Sequence, residues 1–266
     1  MTAVELFCLP HAGGSAALFR PWTNDAPPGI AVTAVEYPGR GARRHEPMLW
    51  DLRALVDDVI RSCRRASGPY ALFGHSLGGA LALEVVRELA RRGEPQPVRL
   101  IVSAAGPPGT GQRPRSLAQA DDAAVLAEMR RIGGTPEALL REPEILGEVL
   151  EAFRAGVEIL HQMPLKPAVL LDVPVTVLGG LDDHVVPASA LSRWGETTVG
   201  PVSQTIFPGG HFFVVQHRRA VLDTVARQLR QDLLRPPAAV AVGARPARTA
   251  AAVIDERRQD ERYWRD

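Results

Sequence analysis

At 266 residues, 45% of them hydrophobic, the chain is long enough for one large α/β domain or two small ones and has the apolar share of an ordinary globular protein. Lys and Arg number 31 against 30 Asp and Glu, a formal net charge of +1, which excludes a global field that would draw the chain to nucleic acid or an anionic membrane. Two cysteines, Cys8 and Cys63, do not make a disulfide framework, and no apolar run approaches the roughly 20 residues of a membrane span. The N-terminus has no basic segment ahead of an apolar one, so the cytoplasm is the expected compartment.

Val4-Glu5-Leu6-Phe7-Cys8-Leu9 reads as a buried strand, followed at once by Pro10-His11-Ala12-Gly13-Gly14-Ser15. A glycine pair straight after a core strand lets backbone N–H groups approach a ligand closely. A second strand, Ile30-Ala31-Val32-Thr33-Ala34-Val35, follows the Pro27-Pro28-Gly29 break and ends in the basic loop Tyr37-Pro38-Gly39-Arg40-Gly41, with Arg43 and Arg44 behind it. Between Asp51 and Cys63, Leu52, Leu55, Val56, Val59 and Ile60 recur at helical spacing.

The next segment is the most informative. The apolar run Pro69-Tyr70-Ala71-Leu72-Phe73 leads into Gly74-His75-Ser76-Leu77-Gly78, and an apolar helix continues to Arg92. This is G-x-S-x-G in the strand, turn, helix setting that gives the pattern meaning. The turn forces Ser76 into strained backbone, so its neighbours at Gly74 and Gly78 must be small. The hydroxyl then stands clear of the sheet beside a helix N-terminus, whose free N–H groups and dipole favour developing negative charge. A serine so placed is built to attack a carbonyl.

A further apolar strand, Val98 to Ala104, closes on Gly106-Pro107-Pro108-Gly109. Strands alternating with helices, each strand apolar on both faces, predict an α/β fold with a mostly parallel sheet flanked by helices. Residues about 110–168 break that rhythm: Ser116 to Arg131, Thr135 to Arg141 and Pro143 to Met163 read as helices without an intervening strand. They form an insertion above the sheet, either a lid over a substrate chamber or additional packing.

The sheet resumes with Val173 to Leu178 and runs into Gly179-Gly180-Leu181-Asp182-Asp183-His184. A carboxylate just beyond a buried strand end can orient a catalytic histidine. Chemistry alone does not separate the two aspartates; Asp182 is preferred, with Asp183 facing solvent or capping the next turn. Val202 to Phe207 then leads into Pro208-Gly209-Gly210-His211-Phe212-Phe213. His211 comes last, and Ser76, Asp182, His211 is the chain order of the α/β-hydrolases. A helix from Val214 to Leu234 closes a domain over 1–235. The Ala-, Arg- and Pro-rich tail 236–266 is expected to lie outside it, partly disordered.

Four segments together, Leu6 to Ser15, Tyr37 to Gly41, Gly74 to Gly79 and Pro208 to Phe213, resemble the type II thioesterases, the free-standing partners of polyketide and nonribosomal peptide synthases. The resemblance covers residue 4 to about 234. It implies an α/β-hydrolase fold with a helical lid, a monomer, no cofactor, and hydrolysis of acyl groups from the phosphopantetheine arm of acyl or peptidyl carrier proteins. Matched position by position, it makes Ser76 the nucleophile, His211 the base, Asp182 the orienting acid, and the amides of Ala12 and Leu77 the oxyanion hole. The family's Gly-Asp-x-Asp-Pro motif is matched here by Gly179-Gly180-Leu181-Asp182-Asp183. Arg20, Arg40, Arg43 and Arg44, near strand ends, are candidates for docking a phosphate or an acidic carrier helix. The same three side chains would also serve an oxygen-ester hydrolase or a cyclising thioesterase, and the scaffold alone would serve a non-catalytic binder.

Overall fold

The computed structural model describes residues 3–110, 115–165 and 170–234, so the expected tail 236–266 lies outside the described residues. In chain order the elements are β1 (Val4–Leu9), α1 (Arg20–Asp25), β2 (Ile30–Ala34), α2 (Leu52–Cys63), β3 (Tyr70–His75), α3 (Leu77–Arg92) and β4 (Leu100–Ser103). Then follow α4 (Arg115–Ala118), α5 (Asp122–Ile132), α6 (Glu137–Leu140), α7 (Pro143–Gln162), β5 (Val175–Gly180), α8 (Ala188–Leu191), β6 (Val202–Phe207), α9 (Phe213–Gln216) and α10 (Arg218–Leu234).

The six strands form one sheet in the order β2-β1-β3-β4-β5-β6. Every neighbouring pair is parallel, with Cys8 opposite Phe73 and His75 opposite Ser103 in register. Parallel strands end on one common edge, so the loops that follow β3, β5 and β6 converge there although they are far apart in sequence.

Alternation along each strand sends side chains to two separate cores. On one face Leu6, Cys8, Phe73 and Ile101 meet Phe19 and Trp22, and Val221 and Val225 of α10 join them. On the other, Phe7, Leu9, Leu72 and Val102 meet Leu55 and Val59 of α2 and Leu81 and Val85 of α3. Asp51 starts α2 by accepting the Ala54 N–H, and Gly93, at φ 67°, ends α3 in the left-handed conformation a C-terminal cap requires. Both cysteines are buried free thiols.

The insertion is helical, as its sequence predicts, but its first helix is divided. Asp121 accepts the Ala124 N–H and opens α5 afresh, so the segment expected to run from Ser116 to Arg131 becomes α4 and α5. The closing helix is likewise split, at His217, into α9 and α10. Val125, Met129, Leu140, Leu150, Phe153 and Val157 of α5 to α7 form a third core, and Ala12 of the loop after β1 packs against it. Among the described residues no helix is long and apolar enough to cross a membrane.

Candidate active site

Ser76 sits between β3 and α3 at φ 56°, ψ −118°, a conformation an L-residue holds only where its surroundings enforce it. The enforcement is steric and hydrogen-bonded. A Cβ on Gly74 would run into the Gly78 carbonyl, and one on Gly78 into the Leu9 carbonyl, so the turn and the loop after β1 touch backbone to backbone. The Ser76 N–H is held by the Ser103 carbonyl at 2.8 Å.

Ser76 Oγ lies 3.0 Å from His211 Nε2, and His211 Nδ1 lies 2.9 Å from Asp183 Oδ2. The expectation for Asp182 is thereby corrected. Asp182 is exposed, whereas Asp183 and His211 are each 5% exposed. The reason lies in β5, which runs to Gly180, beyond the expected end at Leu178. A Cβ on Gly180 would strike the Gly209 and Gly210 carbonyls, so glycine there lets the end of β5 press against the turn that carries His211. Asp183 is then the carboxylate that faces the imidazole. Its other oxygen accepts the Val185 and Val186 N–H groups at 2.8 and 3.0 Å, so the turn-capping foreseen for this residue also occurs. Burial works to raise the Asp183 carboxyl, but the hydrogen bond and attraction of His211 and the two N–H groups hold it below the usual aspartate range.

Ala12 and Leu77 both border Gly156 of α7, where a Cβ would strike Ala12 and crowd the Leu77 side chain. Leu77 is the first residue of α3, so its N–H has no acceptor within the helix. Around this point stand three aromatic contacts that sequence reasoning did not foresee: Phe212 is 4.7 Å from the His11 ring, 5.1 Å from His75 and 5.4 Å from His211, centroid to centroid. His75 Nδ1 bonds Ser103 Oγ at 3.0 Å. Burial, then repulsion from His211 and Arg40, lowers His11 to about 3, and burial keeps His75 well below the usual histidine range. Both are neutral rings lining the site.

Of the four arginines expected to dock a partner, two are otherwise engaged. Arg40 is 5% exposed and, among the described residues, bonds only main-chain carbonyls. Arg43 is clamped by Glu46 and by the buried Asp58 at 2.6 and 2.7 Å. Arg20 and Arg44 are exposed.

A chamber of about 120 Å³ opens beside the serine, walled by Ala80 and Leu83 of α3, Ala104 to Pro108, Met163 and Val186. The Trp194 indole N–H fixes its wall by bonding the Ala105 carbonyl at 2.8 Å. A larger groove of about 1040 Å³ between α2, α3 and residues 170–173 contains none of Ser76, Asp183 or His211.

The thioesterase-domain family matches residues 4–255 of the chain. Thioesterase PikA5 of Streptomyces venezuelae is 36% identical over 236 residues, which is 86% of this chain and 82% of that protein. A probable cadicidin biosynthesis thioesterase of Streptomyces griseus is 37% identical over 237 residues; the match takes in 89% of this chain but spans only 65% of that protein's length. Among solved structures, the type II thioesterase BorB from the borrelidin biosynthetic cluster superposes with a TM-score of 0.77 at 36% identity, covering 86% of this chain and 94% of that one.

Proposed function

The chain belongs to the thioesterase-domain family of α/β-hydrolases, as a type II thioesterase of polyketide or nonribosomal peptide biosynthesis, and from that premise we propose that it clears short acyl groups from the phosphopantetheine arm of acyl or peptidyl carrier proteins. The observation that carries the assignment of residues is the continuous relay from Ser76 Oγ through His211 to Asp183, at 3.0 and 2.9 Å.

His211 Nε2 takes the Ser76 proton as the hydroxyl oxygen adds to the thioester carbonyl carbon, while Asp183 holds the imidazole tautomer and stabilises its cation. The Ala12 and Leu77 amides receive the oxyanion, a pair of which one member is worth about 10²–10³ in turnover. Collapse of the adduct breaks the carbon–sulfur bond and leaves an acyl-serine. The departing thiol has a pKa of about 8.5, so the proton held by His211 suffices for it, and thioesters are favoured over amides. Water then gives its proton to His211 and its oxygen to the acyl carbon, releasing the free acid and restoring Ser76.

The chamber bears on the substrate. At about 120 Å³ it is smaller than the cavity of about 150 Å³ that encloses a benzene molecule, so it suits acyl chains of about five carbons or fewer. Of the inserted helices, α7 reaches the chamber, through Leu160. A compartment shared with cytoplasmic synthases fits this substrate.

The test is release of free acid from carrier proteins loaded with acyl groups of increasing length, beside Ser76→Ala. Release by the parent alone, falling beyond about five carbons, supports the reading. Equal rates on alkyl esters of the same acids point instead to an oxygen-ester hydrolase. No Ser76-dependent release from either class defeats it.

A further inference from the structure

Arg40 is a buried cation whose hydrogen bonds all go to main-chain carbonyls. Its Nη1 donates to the His11 and Gly14 carbonyls at 3.3 and 3.1 Å, and its Nη2 to the Ala152 carbonyl of α7 at 3.0 Å. Its Nε has no partner among the described residues, and its guanidinium lies 5.1 Å from the centre of the Tyr37 ring. The nearby Glu36 carboxylate is occupied by the Ala16 and Ala42 N–H groups. Burying a charge against carbonyls costs more than burying an apolar side chain of the same size, so stability alone does not explain an arginine here.

The peptide between His11 and Ala12 explains it. Peptide units are planar, and among the described residues none is cis, so the His11 C=O and the Ala12 N–H are opposite poles of one rigid group. The His11 carbonyl accepts two donors, the Gly14 N–H at 3.1 Å and Arg40 Nη1 at 3.3 Å, so Arg40 shares with Gly14 the fixing of that carbonyl and, with it, the opposite direction of the Ala12 N–H. A cationic donor on the carbonyl also withdraws charge through the peptide, which makes its N–H a stronger donor. The same guanidinium ties this loop to α7, whose Gly156 borders both Ala12 and Leu77.

We propose that Arg40 is a positioning residue for the oxyanion hole: through the His11 carbonyl it aims and polarises the Ala12 N–H, and through the Ala152 carbonyl it sets that donor relative to α7. The inference rests on the reading of Ala12 as an oxyanion donor, so the test follows that amide directly.

Arg40→Met and Arg40→Lys are compared with Tyr37→Phe, which removes the buried 3.2 Å bond from Tyr37 to the Pro10 carbonyl, one peptide unit away. The probes are a soluble acyl-pantetheine thioester and a trifluoromethyl ketone analogue of it, which adds to Ser76 as an oxyanion adduct. Expected for Arg40→Met is a 10- to 100-fold lower kcat with KM within about twofold, and ketone affinity weakened by the same factor. Arg40→Lys recovers part of both. Tyr37→Phe lowers Tm and leaves kcat and ketone affinity unchanged. In ¹⁵N-labelled protein the Ala12 amide proton moves downfield when the adduct forms, and moves less in the Arg40 variants. Should Arg40→Met not fold, Arg40→Lys carries the same readouts. A parent whose Ala12 proton does not move loses the donor reading and this inference with it. A proton that moves equally in parent and variants, or variants that lose Tm while kcat and ketone affinity hold, overturns the inference about Arg40 alone.

Discussion

Gly134, in the turn after α5, meets the tip of the Phe212 ring, so close that a Cβ on it would overlap Cζ, Cε1 and Cε2. Phe212 is the neighbour of His211, and thus the insertion rests on the residue beside the base. Gly134 has φ +89°, so Gly134→Ala adds backbone strain to the collision. The expected result is a loss of about 2 kcal/mol in unfolding free energy and about tenfold in kcat/KM. Phe212→Ala in the same chain makes room for the new methyl group; recovery of the Gly134→Ala defect in the double variant, measured by urea unfolding and thioester turnover, checks the contact.

The two neighbouring aspartates give opposite expectations. Asp183→Asn leaves the imidazole hydrogen-bonded in the wrong tautomer and lowers kcat by about 10⁴. Asp182→Asn, at an exposed position, changes kcat by less than twofold. Steady-state kinetics on one soluble thioester distinguishes them, and a large loss in Asp182→Asn with Asp183→Asn near the parent would return the orienting role to Asp182.

Acid stability follows from His11. Its folded-state value of about 3 lies below the ordinary 6.5, so the unfolded chain binds the proton more readily between those limits. Stability is therefore fully present above about pH 6.5 and falls as pH drops toward about 3. Urea unfolding between pH 7 and 5 is expected to show a slope on the order of 1 kcal/mol per pH unit near its steepest point, with His75 adding to it in the same direction. In His11→Gln the slope flattens.

The docking candidates that remain are the exposed arginines, Arg20 and Arg44. Reversal of Arg20 and Arg44 to Glu is expected to lower turnover of carrier-bound acyl groups severalfold, more at low salt, and to spare a soluble thioester. Arg43→Glu behaves differently. It places a carboxylate beside the buried Asp58 and costs about 2 kcal/mol of stability on both substrates alike. Equal loss on both substrates for the Arg20 and Arg44 reversal removes these two from the docking surface.

The serine turn was legible in sequence because its cause is local: a doubled-back chain needs glycine on both sides, and glycine is visible. The acid was not, because Gly179 and Gly180 allow the aspartate motif to be laid down in either of two frames. Shifted by one residue, to Gly180-Leu181-Asp182-Asp183-His184, the motif selects Asp183. What decides the frame is how far β5 runs before its glycine meets the Gly209 and Gly210 carbonyls, a contact between segments distant in the chain. Arg40 misled for a related reason. In an arginine-rich loop the expected place of a guanidinium is water, and nothing local announces that three carbonyls from elsewhere surround it. The break at Asp121 was missed although its signal is local: an aspartate ahead of a helical run is a starting signal.

Ser76 and His211 are 135 residues apart and belong to different strand ends of one sheet. During synthesis on the ribosome the serine emerges early and the histidine late, so a nascent chain cannot hydrolyse anything until β6 has docked beside β5. Measured turnover is thereby also a census of completely folded molecules.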